Sequence, residues 1–374
     1  MKKVPELRFK EFSGEWEERQ LNKIIEISNK KFNPKINLTN QICIELEHIS
    51  SKTGKLLGYI DSNNQESIKN IFMENQIIYG KLRPYLRKYW FTKFNGVCSS
   101  EFWVFNGKQI DNKYLYFFVQ TEKFNQISNI SCGSKMPRAD WNYMSLFKFY
   151  IPDAYEQKKI ALFLSSIDKK IELTDKKLEF LEKYKKGLMQ KLLTGKIRFP
   201  GFKDEWKEEK LGNISNIKKG EQLNKILQNS FDNYPVINGG VEISGYTNKY
   251  NTNENTISIS EGGSCGHVKY MKTKFWSGGH CYALEELEDS LNNEFLYHYL
   301  KFNEINLSRL KVGSGLPNIQ KKAINNFIIL VPPILEQRKI ASFLSAIDKK
   351  IELIKSRLEN LKRYKKGLLQ KMFV

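Results

Sequence analysis

Histidine is nearly missing from this chain, cysteine is sparse and unpaired in pattern, and acids are outnumbered by bases. The 374 residues hold 4 His and 5 Cys, with 41 Asp and Glu against 61 Lys and Arg. The cysteines (Cys43, Cys98, Cys132, Cys265, Cys281) are odd in number, scattered, and form no C-x-x-C pair, which argues against a disulfide scaffold and fits reduced thiols. Cys265-Gly266-His267 and His280-Cys281 are the one grouping of metal-ligand types. Their spacing misses the usual zinc patterns, and adjacent residues of a strand point to opposite faces, so no metal is expected.

Other absences concern membranes and chemistry. No stretch approaches 18 apolar residues and none follows the basic opening, so neither a spanning helix nor a secretory leader is read, and a cytoplasmic location is expected. There is no G-x-x-x-x-G-K-[ST] loop; Gly195-Lys196 runs on to Ile197, which offers no hydroxyl for Mg²⁺. No N-P-P-Y or D-P-P-Y methyl-transfer motif and no glycine-rich strand-to-helix turn occurs. The chain is therefore expected to have no catalytic residues and no cofactor of its own.

What is present in excess is positive charge. A formal net charge of +20 attracts polyanions, with nucleic acid the default partner. Only 10 of the 61 basic residues are Arg, a bias that A+T-rich coding explains, but coding bias does not account for the excess over acids. With 40% apolar and 13% aromatic residues the chain has enough material for folded cores.

The strongest signal is a repeat. Glu156–Leu192 and Glu336–Met372 are identical at 25 of 37 positions at a constant offset of 180, and the opening reads E-Q-[KR]-K-I-A-x-F-L-[SA]-x-I-D in both. Upstream, RFKEFSGEWEERQL from Arg8 is echoed by RFPGFKDEWKEEKL from Arg198 at an offset of 190, so about ten residues are lost inside the second copy. Repeats of this length imply two equivalent halves. Apolar residues recur at heptad a and d sites: Ile160, Leu164, Ile167, Ile171, Leu178 and Leu181 in the first copy, and Ile340, Leu344, Ile347, Ile351, Leu358 and Leu361 in the second. Sustained over about five heptads, the pattern predicts two long helices that pack on each other as an antiparallel coiled coil. Lys185 and Lys365 interrupt the seam at the same place in both. Pro152, and Pro332 with Pro333, stand just ahead of the helix starts, and Thr194-Gly195 closes the first.

The segments ahead of the helices carry short apolar and aromatic runs punctuated by Gly, Asn and Ser, such as Ile77-Ile78-Tyr79 and Thr256-Ile257-Ser258-Ile259, which read as strands and turns. Their closing stretches align, Gly133-Ser134-Lys135-Met136-Pro137 with Gly313-Ser314-Gly315-Leu316-Pro317, whereas their interiors show no alignment. The expected organisation is a first domain over 1–153, a long helix over 154–195, a second domain over 196–333 and a second helix over 334–374.

This order, with the doubled helix motif and the G-S-x-x-P element before each helix, resembles the specificity subunit (HsdS) of type I restriction-modification systems over essentially the whole chain. The resemblance implies an α+β fold: two globular DNA target recognition domains separated by two long antiparallel coiled-coil helices, with a pseudo-two-fold internal repeat. It further implies that each domain reads one half of a bipartite, asymmetric site in double-stranded DNA while the helices fix the spacer. Two methyltransferase (HsdM) subunits and two endonuclease/translocase (HsdR) subunits would be the protein partners, and they would use S-adenosylmethionine, ATP and Mg. The competing reading is a non-catalytic coiled-coil DNA-binding adaptor outside restriction-modification.

DNA contacts are expected in the first domain from Lys81, Arg83, Tyr85, Arg87 and Lys88, a basic stretch interleaved with aromatics, and from Ser134, Lys135 and Arg138 beside the Gly-Pro loop. In the second domain the candidates are Asn238, Ser260, His267 and Lys269 in glycine-rich surroundings, with Ser314, Asn318 and Gln320 at the matching loop. Few arginines there suggest readout by Asn and Gln, which pair with adenine.

Overall fold

The structure, a computed structural model, describes residues 3–37, 39–132, 136–229 and 231–374. The chain divides into two compact units, Met1–Asp175 with Arg357–Val374, and Lys176–Ser356. Two long helices supply segments to both: Ala154–Leu192, of 39 residues, and Ile334–Lys371, of 38. The Asp153 carboxylate accepts the Tyr155 and Glu156 N–H groups and starts the first helix. Gly195, at φ +70°, follows its end, where an L side chain would be strained. Ahead of the second helix the Pro333 carbonyl accepts the Glu336 and Gln337 N–H groups instead. No helix among the described residues is long and apolar enough to cross a membrane.

In the first unit a four-stranded antiparallel sheet runs in the order Ile25–Ile27, Phe102–Gly107, Ile77–Gly80, Tyr89–Phe91. The second unit repeats it as Asn216–Lys219, Cys281–Glu285, Thr256–Ser260, Val268–Met271. Every residue of the strands Ile77–Gly80 and Thr256–Ser260 is buried. A second sheet in each unit, five-stranded in the first and three-stranded in the second, contains one parallel pair: Ile42–Ile44 with Gly96–Cys98, and Tyr234–Ile237 with Trp276–Ser277. The interiors that show no sequence alignment thus share a topology, because a sheet constrains burial and alternation rather than residue identity. The missing residues of the second copy are also located. Between the parallel strand and the central strand, the first copy passes through Ile60–Asp61 and Lys69–Phe72, the second only through Gly245–Thr247.

The sequence echo upstream of each domain has a physical role. Glu156, fully buried, accepts two hydrogen bonds from the Arg8 guanidinium (2.8 and 2.7 Å) and one from Trp16 Nε1 (3.1 Å). Glu336, also fully buried, receives the same three from Arg198 (2.9 and 2.6 Å) and Trp206 (3.1 Å). Hydrogen bonding to the carboxylates holds both arginines above their ordinary pKa. The neighbouring glutamines complete the joint. Gln157 donates to the Pro152 carbonyl and accepts from Asp111 N–H, while Gln337 donates to Pro332 and accepts from Asn292 N–H.

The predicted seam serves two kinds of packing. Ile160, Leu164 and Ile167 are buried in the first unit's core among Trp16, Phe118, Phe149, Leu368 of the second helix, and Met372 and Phe373 just past its end; Ile171 packs at its margin. Ile340 and Leu344 occupy the equivalent core of the second unit with Met189 and Leu192. Helix meets helix alone in the cluster of Leu178, Leu181, Ile347, Ile351 and Ile354. Leu358 is buried and Leu361 half-buried. The seam lysines are paired: Lys365 Nζ lies 2.7 Å from Asp168 Oδ1 in the first unit, and Lys185 reaches Asp348 in the second. With Glu182 bridged to Lys355, the second unit's helix segments run antiparallel. Polar pairs in an apolar seam fix register, since a slip strands both charges.

Against the helix pair, one matched domain position carries a ring of different chemistry in the two units. Lys365 lies over the Phe117 ring in the first, whereas the matching place in the second, six residues past the helix cap in each, is His298. His298 is 1% exposed, and its Nε2 faces Ser345 Oγ at 3.1 Å while its Nδ1 has no hydrogen-bond partner. Burial, reinforced by Lys185 and opposed by Asp348, lowers its pKa to about 4.

Two outcomes follow. Glu156→Ala leaves the Arg8 guanidinium without its carboxylate and should destabilise the first unit by about 3–5 kcal/mol; hydrogen exchange should show this loss there and little change in the second. His298 is neutral in the fold, so its stabilising contribution is complete above the ordinary pKa of 6.5 and drains as pH falls towards about 4. The loss is on the order of 3 kcal/mol. His298→Phe should remove this acid sensitivity from the second unit, measured as hydrogen-exchange protection between pH 7 and pH 4.5.

Candidate nucleic-acid interface

The central strand of each main sheet ends at a surface edge, and the chain leaves it in the same way in both units. Lys81 N–H donates to the Glu101 carbonyl (2.9 Å) and the Lys81 carbonyl accepts from Ala139 N–H (2.9 Å). Glu261 makes the same two bonds, to the His280 carbonyl (2.8 Å) and from Ile319 N–H (2.9 Å). One residue further, Leu82 bridges Arg138 and Gly262 bridges Asn318. Beyond them, Cys132 pairs with Arg138 and Val312 with Asn318. Lys81, Arg83 and Arg138 therefore hold the places of Glu261, Gly263 and Asn318.

In the first unit the exit segment is a tight turn. Pro84–Leu86 form a 3₁₀ turn between Arg83 (φ +50°) and Arg87 (φ +51°), both left-handed. Such a backbone costs an L residue roughly 1–2 kcal/mol, and Gly263 (φ +67°) adopts it in the second copy with no Cβ to strain. Side chains that look alike in the sequence then diverge. The Arg87 guanidinium donates to Glu122 (3.0 and 2.7 Å) and to the Gln120 carbonyl, and Lys88 Nζ donates to the Leu46 carbonyl (2.6 Å). Both are bound inside the domain, and burial lowers the Lys88 pKa. Arg83 and Tyr85 are exposed and Lys81 half-exposed. Arg138, 49% exposed at its side chain, is gripped by Glu101 through Nε (3.1 Å) and Nη2 (3.0 Å). Ser134 and Lys135 lie outside the described residues.

Glycines bring four segments of the second unit together. Ser264 N–H donates to the Gly239 carbonyl (2.9 Å), Gly239 N–H to Cys281 Sγ (3.0 Å), and Cys265 Sγ to the Pro317 carbonyl (3.1 Å). A Cβ on Gly239 would lie 2.8 Å from the Gly262 carbonyl oxygen, so no larger residue fits. Beside this junction is an open cleft of about 530 Å³ lined by Gly263, Cys265, His267, Glu304, Arg309 and Lys311. His267 Nδ1 sits 3.1 Å from Glu304, and burial followed by Lys301 lowers its pKa. Ser314, Asn318 and Gln320 are exposed, while Asn238 and Lys269 are half-buried, Lys269 with its pKa lowered by burial. Ser260 is 3% exposed and does not face outward, because both faces of its strand are covered and every residue in it is buried. No local signal in the sequence marks Glu101, Arg309 or Lys311; Glu101 directly follows the Cys98-Ser99-Ser100 run.

Among the described residues no cluster of three or more His, Cys, Asp or Glu could hold a metal ion. What the two edges offer is contact: exposed arginine, tyrosine and asparagine and a half-exposed lysine beside strand ends fixed by sheet hydrogen bonds.

Comparison with known proteins gives a consistent result. Residues 13–183 and 203–363 match the family model described as the type I restriction modification DNA specificity domain. A putative type I specificity subunit of Mycoplasma pneumoniae is 35% identical over 170 residues, covering 45% of this chain and 45% of that protein. The chain thus spans less than half of that relative's length in the match. A putative type I restriction enzyme specificity subunit of Methanocaldococcus jannaschii is 28% identical over 287 residues, 71% of this chain and 68% of the relative. In fold, the crystal structure of a type I restriction-modification system S subunit from M. genitalium superposes with a TM-score of 0.72 over 99% of both chains at 20% identity.

Proposed function

The chain belongs to the type I restriction modification DNA specificity family, and from that premise we propose that it is the sequence-reading subunit of a type I complex, each unit reading one half of a bipartite DNA site. One observation carries the reading. The two strand-end edges have the same backbone hydrogen bonds but different side chains at matched positions, Lys81 against Glu261, Arg83 against Gly263 and Arg138 against Asn318. A common scaffold with exchanged contact residues is what two readers of different half-sequences need. The net charge of +20 suits the phosphate backbone that lies beneath any such readout.

In this proposal the long helices fix the unread spacer and dock the partners. Exposed apolar residues recur on both at the repeat offset: Tyr155 (71%) with Leu335 (66%), Leu173 (54%) with Leu353 (71%), Tyr184 (47%) with Tyr364 (53%). Surface apolar residues duplicated in this way suit two copies of one partner, here two methyltransferase subunits. Two endonuclease/translocase subunits would complete the restricting form. S-adenosylmethionine, ATP and Mg would be used by those partners, this chain would be non-catalytic, and the complex would work in the cytoplasm.

The first domain is built as an exchangeable insert. Its ends meet where Leu21 N–H donates to the Phe147 carbonyl (3.0 Å), between the paired strands Glu17–Gln20 and Lys148–Ile151. Leu211 N–H and the Phe327 carbonyl (2.9 Å) repeat this in the second unit. Replacing residues 21–147 with the corresponding segment of another family member should change one half of the methylated sequence and leave the other half and the spacer as they were, read by methylome sequencing. Both halves changing together would contradict the proposal.

A further inference from the structure

We propose that Arg138 is a specificity-determining residue that reads a guanine in the half-site of the first domain, with Glu101 as its positioning residue. The inference rests on the reading of the first unit as a DNA-recognition domain and deepens it. Arg138 follows the Gly-Pro loop and is bridged through its backbone to Leu82 at the end of the central strand, so its Cα is fixed by the sheet. Glu101 then fixes the side chain. Its carboxylate takes Nε and one hydrogen of Nη2, and leaves both hydrogens of Nη1 and the second hydrogen of Nη2 on the outer edge. That edge meets no other partner among the described residues. Two parallel donors at the end of a rigid plane match the O6 and N7 acceptors of guanine in the major groove. Holding the guanidinium beforehand reduces the rotamer entropy lost on contact.

A simple surface ion pair explains less. Both partners are partly exposed (49% and 25%), so the pair contributes little to stability by itself. The same edge also tolerates backbone strain at Arg83, whose N–H is tied to the Pro137 carbonyl (2.8 Å) immediately before Arg138. In the second unit the equivalents of these residues are Gly263 and Asn318, and the position of Glu101 is taken by His280. The buttressed arginine therefore belongs to the first domain's own target and not to the scaffold that both units share.

The test uses the methyltransferase complex with the full-length chain and duplexes carrying its methylated site. Each guanine pair of the first half-site is replaced in turn by 7-deazaguanine, which lacks the N7 acceptor. The wild-type complex should lose roughly tenfold in affinity at one guanine, and Arg138→Ala should be insensitive at that guanine. Arg138→Lys keeps the charge and should hold affinity for non-specific duplex while losing the same discrimination, which separates base readout from a phosphate contact. Glu101→Gln should give intermediate discrimination with second-half readout intact. If Arg138→Lys and Arg138→Ala retain the wild-type sensitivity at every guanine, or if no guanine of the first half-site is sensitive, the inference is overturned while selective binding preserves the broader reading. Failure of the wild-type complex to prefer its site over random duplex would instead overturn that reading, and this inference with it.

Discussion

A buried carboxylate holds each half of this molecule to its helix. Removing Glu156 or Glu336 from water costs several kcal/mol, and the cost is recovered only when the arginine fork and the tryptophan N–H are both in place. Such a joint contributes modest net stability but strong geometric selectivity, because any other entry angle of the helix leaves a charge unpaired. The adjacent glutamine ties the same turn of helix to the proline before it and to the cap of a domain helix. Helix direction is thereby fixed relative to the paired strands that close each domain. Everything the proposal asks of the helices, register included, starts from this joint.

The joint, the main-sheet order and the strand-end hydrogen bonds are common to both units, and at the exposed edge matched backbone positions carry different side chains. Lys81 and Glu261 show how this works, since their backbones make the same two bonds while Lys81 is half-exposed and Glu261 turns inward to Lys219 and Tyr282. Arg83 gives the same lesson from strain. Its left-handed conformation belongs to the shared turn, and glycine meets that demand without cost in the second copy, so the first copy keeps a side chain at an energetic disadvantage. Scaffold conservation and contact divergence can coexist because backbone hydrogen bonds are indifferent to side-chain identity.

The long helices were readable from the sequence because heptad periodicity reports burial directly, and the lysines that broke the pattern proved to be paired with Asp168 and Asp348. The clamp was half-readable. The echo preserved Arg and Trp in both copies, but their partner lies 148 and 140 residues away, beyond any local pattern. The shared topology of the interiors was hidden, since Ile77-Ile78-Tyr79-Gly80 and Ile257-Ser258-Ile259-Ser260 fill equivalent strands with different residues. Within the basic stretch, composition could not separate Arg83 from Arg87 or Lys88, because Glu122 and the Leu46 carbonyl reach the latter two only through the fold.

The proposed division of labour, in which helices set distance and domains set sequence, is tested most directly by lengthening the helices alone. Four residues inserted in each, after Asp175 and after Ser356, add about one helical turn, roughly 6 Å, and nearly restore the rotational phase. With base pairs about 3.4 Å apart, methylome sequencing should find both half-sequences unchanged and the spacer longer by about one or two pairs. The original spacer retained by the lengthened protein, or altered half-sequences, would contradict the account.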